Sequence, residues 1–195
     1  MARIPYAATP QYEELRRESC FPEDTVPSNA FRMLGHAPAI GSSVLRLMYT
    51  ILGEADLDFG LRELAILRVS QRYQAWYAWA QHVAIARAIG VDDEQIAALE
   101  RGEFMNEIFS HRERIVLAFT DEIIDNLRVS DQTFAQARKE FSPRELVELL
   151  LTIGSFRMIS GLLTTLDIEL DEPRELSCWK WPTRLHKNML QHGLC

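Results

Sequence analysis

The chain has 195 residues, of which 47% are hydrophobic and 25% are charged, a composition typical of a soluble globular protein. Its length suits one domain, or one domain built from two similar halves, and is enough to bury a core without a metal or disulfide. The formal net charge of −7 disfavours binding to the polyanionic backbone of nucleic acid. A small molecule or a protein is therefore the expected partner.

The cysteines and the N-terminal segment indicate the compartment. Cys20, Cys178 and Cys195 are widely separated and form neither a CxxC pair nor a metal-ligand spacing, so we interpret them as reduced thiols. The first residues, MARIPYAATPQYEELRRE, lack the apolar core of a signal peptide, and no run approaches the roughly 18 apolar residues of a membrane span. These features predict a cytoplasmic protein that does not enter a membrane.

Read in chain order, the sequence predicts a succession of amphipathic helices. A short polar helix is predicted over YEELRRES, followed by a Pro-rich connector, CFPEDTVPSN. In AFRMLGHAP the apolar residues lie at helical spacing, and Pro38 should end that helix. Apolar residues from Val44 to Leu52 mark another helix, which Gly53 should end. Helical composition continues from Leu61 to about Ile89 and should stop at Gly90.

Three further helix starts carry capping-box patterns. Asp92 with Gln95, Ser110 with Glu113 and Ser142 with Glu145 have the required spacing, and Pro143 stands at the favoured first helical position. No stretch shows the sustained alternation of a half-buried strand bounded by hairpin turns. The sequence therefore predicts an all-α fold.

Two segments of the chain are similar to each other: LRELAILRV, residues 61–69, and PRELVELLL, residues 143–151. They share Arg-Glu-Leu in the same helical setting, which suggests two related helical lobes. On this offset Glu63 matches Glu145, but His82 falls opposite Thr164. Chance similarity between Leu-rich helices is an equally good explanation.

Glu63 and His82 are the residues best suited to chemistry. In one continuous helix they would lie about 28 Å apart. If the helix breaks between about Tyr73 and Trp76 and turns back, the two side chains can meet across an antiparallel helix pair. A buried Glu beside a His can move protons at a carbon next to a carbonyl. The alternative is that Glu63 and His82 have only a structural role in their helices.

Aromatic residues cluster before His82. Trp76, Tyr77 and Trp79 could wall an apolar pocket for a planar or cyclic substrate, although helical aromatics more often belong to a core or a subunit interface. The remaining histidines have no metal-ligand spacing, and P-loop, GxGxxG and GxSxG motifs are absent. These residues are His36, His111, His186 and His192. The sequence predicts neither a metal nor a cofactor.

The stretch RELAILRVSQRYQAWYAWAQHVAIARAIGVDDEQIAAL closely resembles the core of the carboxymuconolactone decarboxylase family, which includes relatives of the AhpD type. NAFRMLGHAP, ERIVLAFTDEI and RELVELLLTIGSFRMISGLLTTLDIEL resemble its flanking segments. The resemblance implies an AhpD-like helical domain over residues 28–170, with an N-terminal arm over 1–27 and a C-terminal tail over 171–195. It also implies a broken helix pair and a homo-oligomer, a trimer or a multiple of a trimer.

In the peroxidase branch of this family, the glutamate and histidine matching Glu63 and His82 serve a CxxC dithiol. Ala75 and Ala78 stand where those cysteines would fall, so thiol peroxidase activity of the AhpD type is not expected. The family often has Gly where this chain has Gln74, which places the geometry of the turn in question. It often has Glu or Cys at the position of Ala78, so the pocket lacks a polar group.

The decarboxylase branch uses no cofactor. The resemblance therefore implies a lyase or isomerase that acts on a small cyclic or aromatic-derived carboxylic acid or lactone by acid-base catalysis. In that scheme His82 moves the proton and Glu63 is its partner, while Tyr77 and Trp79 contact substrate. Arg68 could hold a substrate carboxylate, or form a salt bridge to Glu63, or lie at the surface. The rival hypothesis is a non-catalytic oligomeric binding or scaffold protein.

The C-terminal tail differs in character from the rest of the chain. Packing against another subunit or the protein's own domain is the favoured interpretation, with a membrane surface as the alternative. The tail combines aromatic and basic residues: Trp179, Lys180, Trp181, Arg184 and Lys187.

Overall fold

A computed structural model of the chain describes residues 1–19 and 27–172. Throughout these two ranges every regular element is an α-helix, which confirms the predicted all-α fold. The helices are α1 (Thr9–Glu18), α2 (Asn29–Leu34), α3 (Pro38–Glu54), α4 (Phe59–Arg72), α5 (Trp76–Ala88), α6 (Asp93–Glu100), α7 (His111–Asn126), α8 (Asp131–Glu140) and α9 (Pro143–Thr165).

Helix α4 lies at the centre of the domain and packs against α5, α7 and α9. Its residues from Leu61 to Ser70 are all buried. Apolar side chains of α4, α7 and α9 form one core cluster, and those of α4, α5 and α6 form a second. Because α4 is enclosed on all sides, each charged residue in this stretch must find a partner inside the protein.

The break between α4 and α5 is present where the spacing of Glu63 and His82 required it. Gln74 takes a left-handed backbone conformation with φ of 53°, and the backbone N–H of Ala75 donates to the carbonyl of Ser70 at 2.8 Å. Helix α5 then begins at Trp76 and runs back beside α4. No Gly or Pro marks this turn, so Gln74 adopts a conformation that usually favours Gly.

The predicted helix starts agree with the observed caps. The hydroxyls of Ser110 and Ser142 accept from the backbone N–H groups of Glu113 and Glu145. The backbone N–H of Asp92 donates to Gln95 at 3.3 Å.

Two predicted boundaries differ from the structure. Pro38 begins α3, because a helix needs no N–H from its first residues, and the preceding helix already stops at Leu34. Gly53 lies inside α3, one residue before its end at Glu54. Both differences come from reading Pro and Gly only as helix terminators.

The N-terminal segment packs onto the domain. Tyr12 and Leu15 of α1 form an apolar cluster with Leu45 of α3, and the backbone N–H of Arg3 donates to the carbonyl of Leu166 at 2.9 Å. The predictions for the Trp-rich basic tail and for the cysteines lie outside the described residues.

Helix α9 is the one described element long and apolar enough to cross a membrane by length and composition. It also supplies Leu149, Ile153 and Phe156 to the core that contains α4. We therefore interpret α9 as a core helix. The matched glutamates of the two Arg-Glu-Leu segments have different roles. Glu63 is buried within α4, whereas Glu145 caps the start of α9.

The turn at Gln74 predicts a stabilising substitution. The left-handed conformation costs a residue other than Gly about 1–2 kcal/mol, partly offset by the greater unfolded-state freedom of Gly. Gln74 is exposed and makes no side-chain hydrogen bond within the described residues. Gln74→Gly should raise the free energy of unfolding by about 0.5–1 kcal/mol, measured by urea denaturation. Gln74→Ala is the control and should change little; equal effects of the two would contradict the prediction.

Candidate active site

Glu63 of α4 and His82 of α5 meet across the broken helix pair. The His82 Nδ1 atom lies 2.6 Å from Glu63 Oε2, a short hydrogen-bond distance. The Glu63 side chain is fully buried, and His82 is 7% exposed. The turn thus joins two residues that are 19 positions apart in sequence.

Arg62 holds the other oxygen of the Glu63 carboxylate. Its Nε and Nη2 atoms donate to Glu63 Oε1 at 3.3 and 3.1 Å, and its Nη1 donates to the carbonyl of Leu52 at 2.8 Å. The guanidinium also lies over the ring of Phe59. Arg62 was not singled out from the sequence. The signal that identifies it is an Arg-Glu pair inside an otherwise apolar helical run, because such a pair must be satisfied internally.

The charges of this cluster fix the state of the histidine. Burial raises the pKa of the Glu63 carboxyl, but His82 and Arg62 oppose it more strongly, so the net pKa is lowered. An ionised carboxylate only accepts hydrogen bonds, so His82 Nδ1 must carry the hydrogen. In the neutral imidazole, Nε2 is then the basic atom. Within the described residues, Nε2 has no hydrogen-bond partner.

His82 lines a partly open cavity of about 120 Å³ between α2, α3, α5 and α9. The wall is mainly aliphatic and aromatic, and Phe156 packs edge-on against the imidazole with ring centroids 4.7 Å apart. A larger hollow of about 320 Å³ lies beside the N-terminal segment and α1, but neither Glu63 nor His82 lines it. The smaller cavity is therefore the one that the acid-base pair can serve.

Tyr77 lies in the wall of this cavity, and its contact with a substrate stays a prediction. Its hydroxyl donates to the Asp171 carboxylate and accepts from the backbone N–H of Ala30 at 3.4 Å. Burial, together with the Asp171 carboxylate, raises the pKa of this hydroxyl. Gln81, another wall residue, donates to the same carboxylate at 3.3 Å. Sequence reasoning missed Gln81 and Asp171.

Arg68 does not face the cavity, so the prediction that it could hold a substrate carboxylate there is corrected. Its Nε and Nη2 atoms donate to the two oxygens of Asp121 at 2.8 and 2.7 Å, and its guanidinium lies over the ring of Phe104. Arg68 follows Glu63 by five residues, which places it about 140° further round α4. It therefore points towards α7 and away from α5.

Trp79 is likewise a core residue and does not line the cavity. It packs in the cluster formed by α4, α5 and α6, where its neighbours include Leu64 and Leu67. Trp76 is half exposed at the start of α5 and meets Trp79 edge-on. Of the three aromatics near His82, only Tyr77 reaches the cavity wall. The alternative that helical aromatics belong to the core applies to Trp79.

Ala75 and Ala78 occupy different surroundings at the two positions of the dithiol motif. Ala75 is buried at the turn, and Ala78 lies in the cavity wall one helical turn before His82. Neither can act as a nucleophile or form a disulfide. Within residues 1–19 and 27–172, no group of three His, Cys, Asp or Glu side chains is placed to hold a metal ion.

The model of the carboxymuconolactone decarboxylase family matches residues 38–107, a range that contains α4, the turn and α5. The predicted resemblance is thereby confirmed over this segment, in which Ala75 and Ala78 stand at the two positions of the CxxC dithiol. No curated protein matches the chain.

Solved structures show that the fold is AhpD-like. The peroxidase-related protein with an alkylhydroperoxidase AhpD core from Ralstonia eutropha JMP134 is 16% identical, with a TM-score of 0.71 over 88% of this chain and 93% of that one. A peroxidase-related protein from Silicibacter sp. TM1040 is 17% identical, with a TM-score of 0.71 over 87% and 90%. The debrominase Bmp8, as a Cys-to-Ala variant bound to 2,3,4-tribromopyrrole, is 13% identical, with a TM-score of 0.68 over 98% and 99%. The neighbours thus include an enzyme.

The lowered pKa of Glu63 predicts a pH-dependent stability. A carboxyl whose pKa is lower in the folded state stabilises the fold above its ordinary pKa, and this contribution is lost as the pH falls through the folded value. At neutral pH, Glu63→Gln should lower the free energy of unfolding by about 3–5 kcal/mol, because Arg62 loses its charged partner in the interior. The difference from wild type should shrink below about pH 4. Urea denaturation at several pH values tests this, and a constant difference would contradict it.

Proposed function

We propose that this chain, with its carboxymuconolactone decarboxylase-like core, is a cofactor-independent lyase or isomerase that acts on a small cyclic compound by proton transfer. One observation carries the proposal: a buried Arg62–Glu63–His82 chain ends in a basic nitrogen beside an apolar cavity. The predicted roles of His82 as the base and Glu63 as its partner agree with this arrangement.

The chemistry follows from the two nitrogens of His82. The Nδ1–H group is committed to Glu63, so the Nε2 lone pair is available to remove a proton from a carbon next to a carbonyl. The imidazolium that results lies against a carboxylate, which offsets its charge. The same Nε2–H can then return the proton to the substrate. A positioned acid-base group of this kind contributes about 10²–10⁴ to a rate.

Arg62 keeps the Glu63 carboxylate ionised and oriented towards His82. By occupying Glu63 Oε1, it leaves Oε2 as the acceptor for His82 and favours the ionised carboxylate. The guanidinium is itself tied to the C-terminal end of α3 through the carbonyls of Ile51 and Leu52. The orientation of the base therefore depends on three helices.

Loss of carbon dioxide and migration of a double bond are both compatible with this unit, since each needs an electron-accepting carbonyl and a placed proton. Thiol peroxidase chemistry is disfavoured, because Ala75 and Ala78 supply no sulfur. The tribromopyrrole bound to the debrominase is a small ring, which supports a cyclic substrate for the shared fold.

The proposal predicts that His82→Gln abolishes proton exchange and that Glu63→Gln lowers its rate by about 10²–10⁴. In the Glu63→Gln variant, Arg62 retains the amide oxygen, so the amide NH₂ faces Nδ1. That nitrogen must then accept, which places the hydrogen on Nε2 and removes the base. The measurement is deuterium incorporation or carboxylate loss, followed by NMR in D₂O with a panel of small lactones, cyclic ketones and β-keto acids.

Glu145→Gln is the matched control, because it makes the same change in the second Arg-Glu-Leu segment and Gln also completes a capping box. Its rate should equal that of wild type. Turnover that survives in both active-site variants would refute the assigned roles. If wild type shows no proton exchange with any member of the panel, the rival hypothesis of a binding protein is favoured.

We also propose that the protein forms a homo-oligomer through α9. Val147, Leu151 and Met158 are each about half exposed and lie along one stripe of this helix, together with the exposed Gly154 and Gly161. Single exposed apolar residues are ordinary, but a continuous stripe on a core helix is typical of an interface. A second copy of the chain would bury it by a symmetric contact.

Leu151→Glu should shift the protein towards the monomer, because it would bury a carboxylate without a partner at this contact. Light scattering at micromolar concentration should give wild type a mass of at least twice the 22.4 kDa of one chain. Leu170→Glu, which changes an equally exposed leucine outside α9, is the control and should leave the mass unchanged. A monomeric wild type would contradict the proposal.

A further inference from the structure

The cavity beside His82 is small. Its volume of about 120 Å³ is close to that of apolar protein cavities of about 150 Å³ that accept benzene. Phe31, Met48, Ile159 and Leu163 are among the apolar residues of its wall. A five- or six-membered ring with few substituents fits this space.

Most polar groups of the wall are already engaged. The Ser28 hydroxyl accepts from the backbone N–H of Phe31 and caps α2. The Tyr77 hydroxyl donates to Asp171, and Gln81 Nε2 also donates to Asp171. Among the described residues, the side-chain atoms of the wall that this leaves free to meet a ligand are His82 Nε2 and the Gln81 amide oxygen. A ligand with one polar reacting centre and an otherwise apolar surface is complementary in polarity to this wall.

Among the described residues, the charged groups bonded to the polar side chains of this wall are carboxylates. The Asp171 carboxylate is bonded to two wall residues and also accepts from the backbone N–H of Asn29 at 2.7 Å. Behind His82 lies the Glu63 carboxylate, whose cationic partner Arg62 is on its far side and is held there by α3. Arg68 is paired with Asp121 and does not line the cavity. A carboxylate on the ligand would be desolvated beside two like charges.

We propose that the substrate is a neutral, carboxylate-free cyclic carbonyl compound and that the reaction is an isomerisation; this rests on the proposed proton-transfer function. His82 Nε2 removes a proton from the carbon between the carbonyl and a double bond, which forms the enolate and the imidazolium. The Nε2–H then returns the proton to the far end of the conjugated system. One C–H bond breaks and another forms, the double bond moves into conjugation, and no atom leaves.

The binding test compares cyclohexanone with cyclohexanecarboxylate, which differ in charge at similar ring size. Titration followed through the His82 ring signals in NMR should show that the ketone binds at least about tenfold more tightly. Asp171→Asn should narrow this preference severalfold by removing one negative charge. Asp125→Asn makes the same change at a residue paired with Arg72 and should leave the preference unaltered. Equal or tighter binding of the carboxylate would overturn the proposal.

The reaction test compares cyclohex-3-en-1-one with 2-oxocyclohexane-1-carboxylate, followed by NMR in D₂O. We expect His82-dependent conversion of the enone to its conjugated isomer, while the keto acid loses carbon dioxide no faster than in buffer. Accelerated decarboxylation without isomerisation would overturn this inference and leave proton-transfer function intact. Selective binding of the ketone with neither reaction accelerated would refute the isomerisation, count against the proposed function and support only the ligand class.

Discussion

The fold depends on a charged pair inside a helix that is enclosed on every side. Arg62 and Glu63 are both fully buried on α4, and burial of an unpaired charge would cost several kcal/mol. The solution is a relay of hydrogen bonds from the carbonyls of α3 through Arg62 and Glu63 to His82 on α5. The positions of three helices are thereby linked by one set of polar contacts, and the same contacts orient the base of the proposed mechanism.

This arrangement separates the two sides of the imidazole. The Nδ1–H group has a structural role, because it donates a hydrogen bond to a carboxylate that has no access to water. The Nε2 atom lies on the side of the cavity, whose wall is mainly apolar and where Phe156 packs edge-on against the imidazole ring. A base in such a site is less solvated than one at the surface, so its interactions with a bound ligand are stronger. Under the proposed function, stability and reactivity thus depend on the same three side chains.

Much of the local structure follows from local patterns. The helix starts after Ser110 and Ser142 were predictable because a capping box needs only residues three positions apart. The turn between α4 and α5 was inferred from what Glu63 and His82 would need, since Gln74 gives no Gly or Pro signal.

Features that depend on distant partners were not predictable. Arg68 turned away from the cavity because Asp121, 53 residues later, receives it. Trp79 fills a core whose other walls come from α4 and α6, and Asp171 reaches Tyr77 across 94 residues of sequence. Spacing within one helix does not reveal which neighbour each face will meet.

Ala75 and Ala78 stand in place of the dithiol, so the site has no sulfur at these two positions. A thiol at the position of Ala78 would stand in the cavity wall one turn from the imidazole, where His82 would serve as its proton relay. With a methyl group there, the wall is more apolar, and under the proposed function His82 Nε2 acts on the ligand itself. The Glu63–His82 pair does not depend on the thiols, since its partners are Arg62 and the carbonyls of α3. The residues that the proposed proton transfer requires are therefore present without cysteines at the positions of the dithiol.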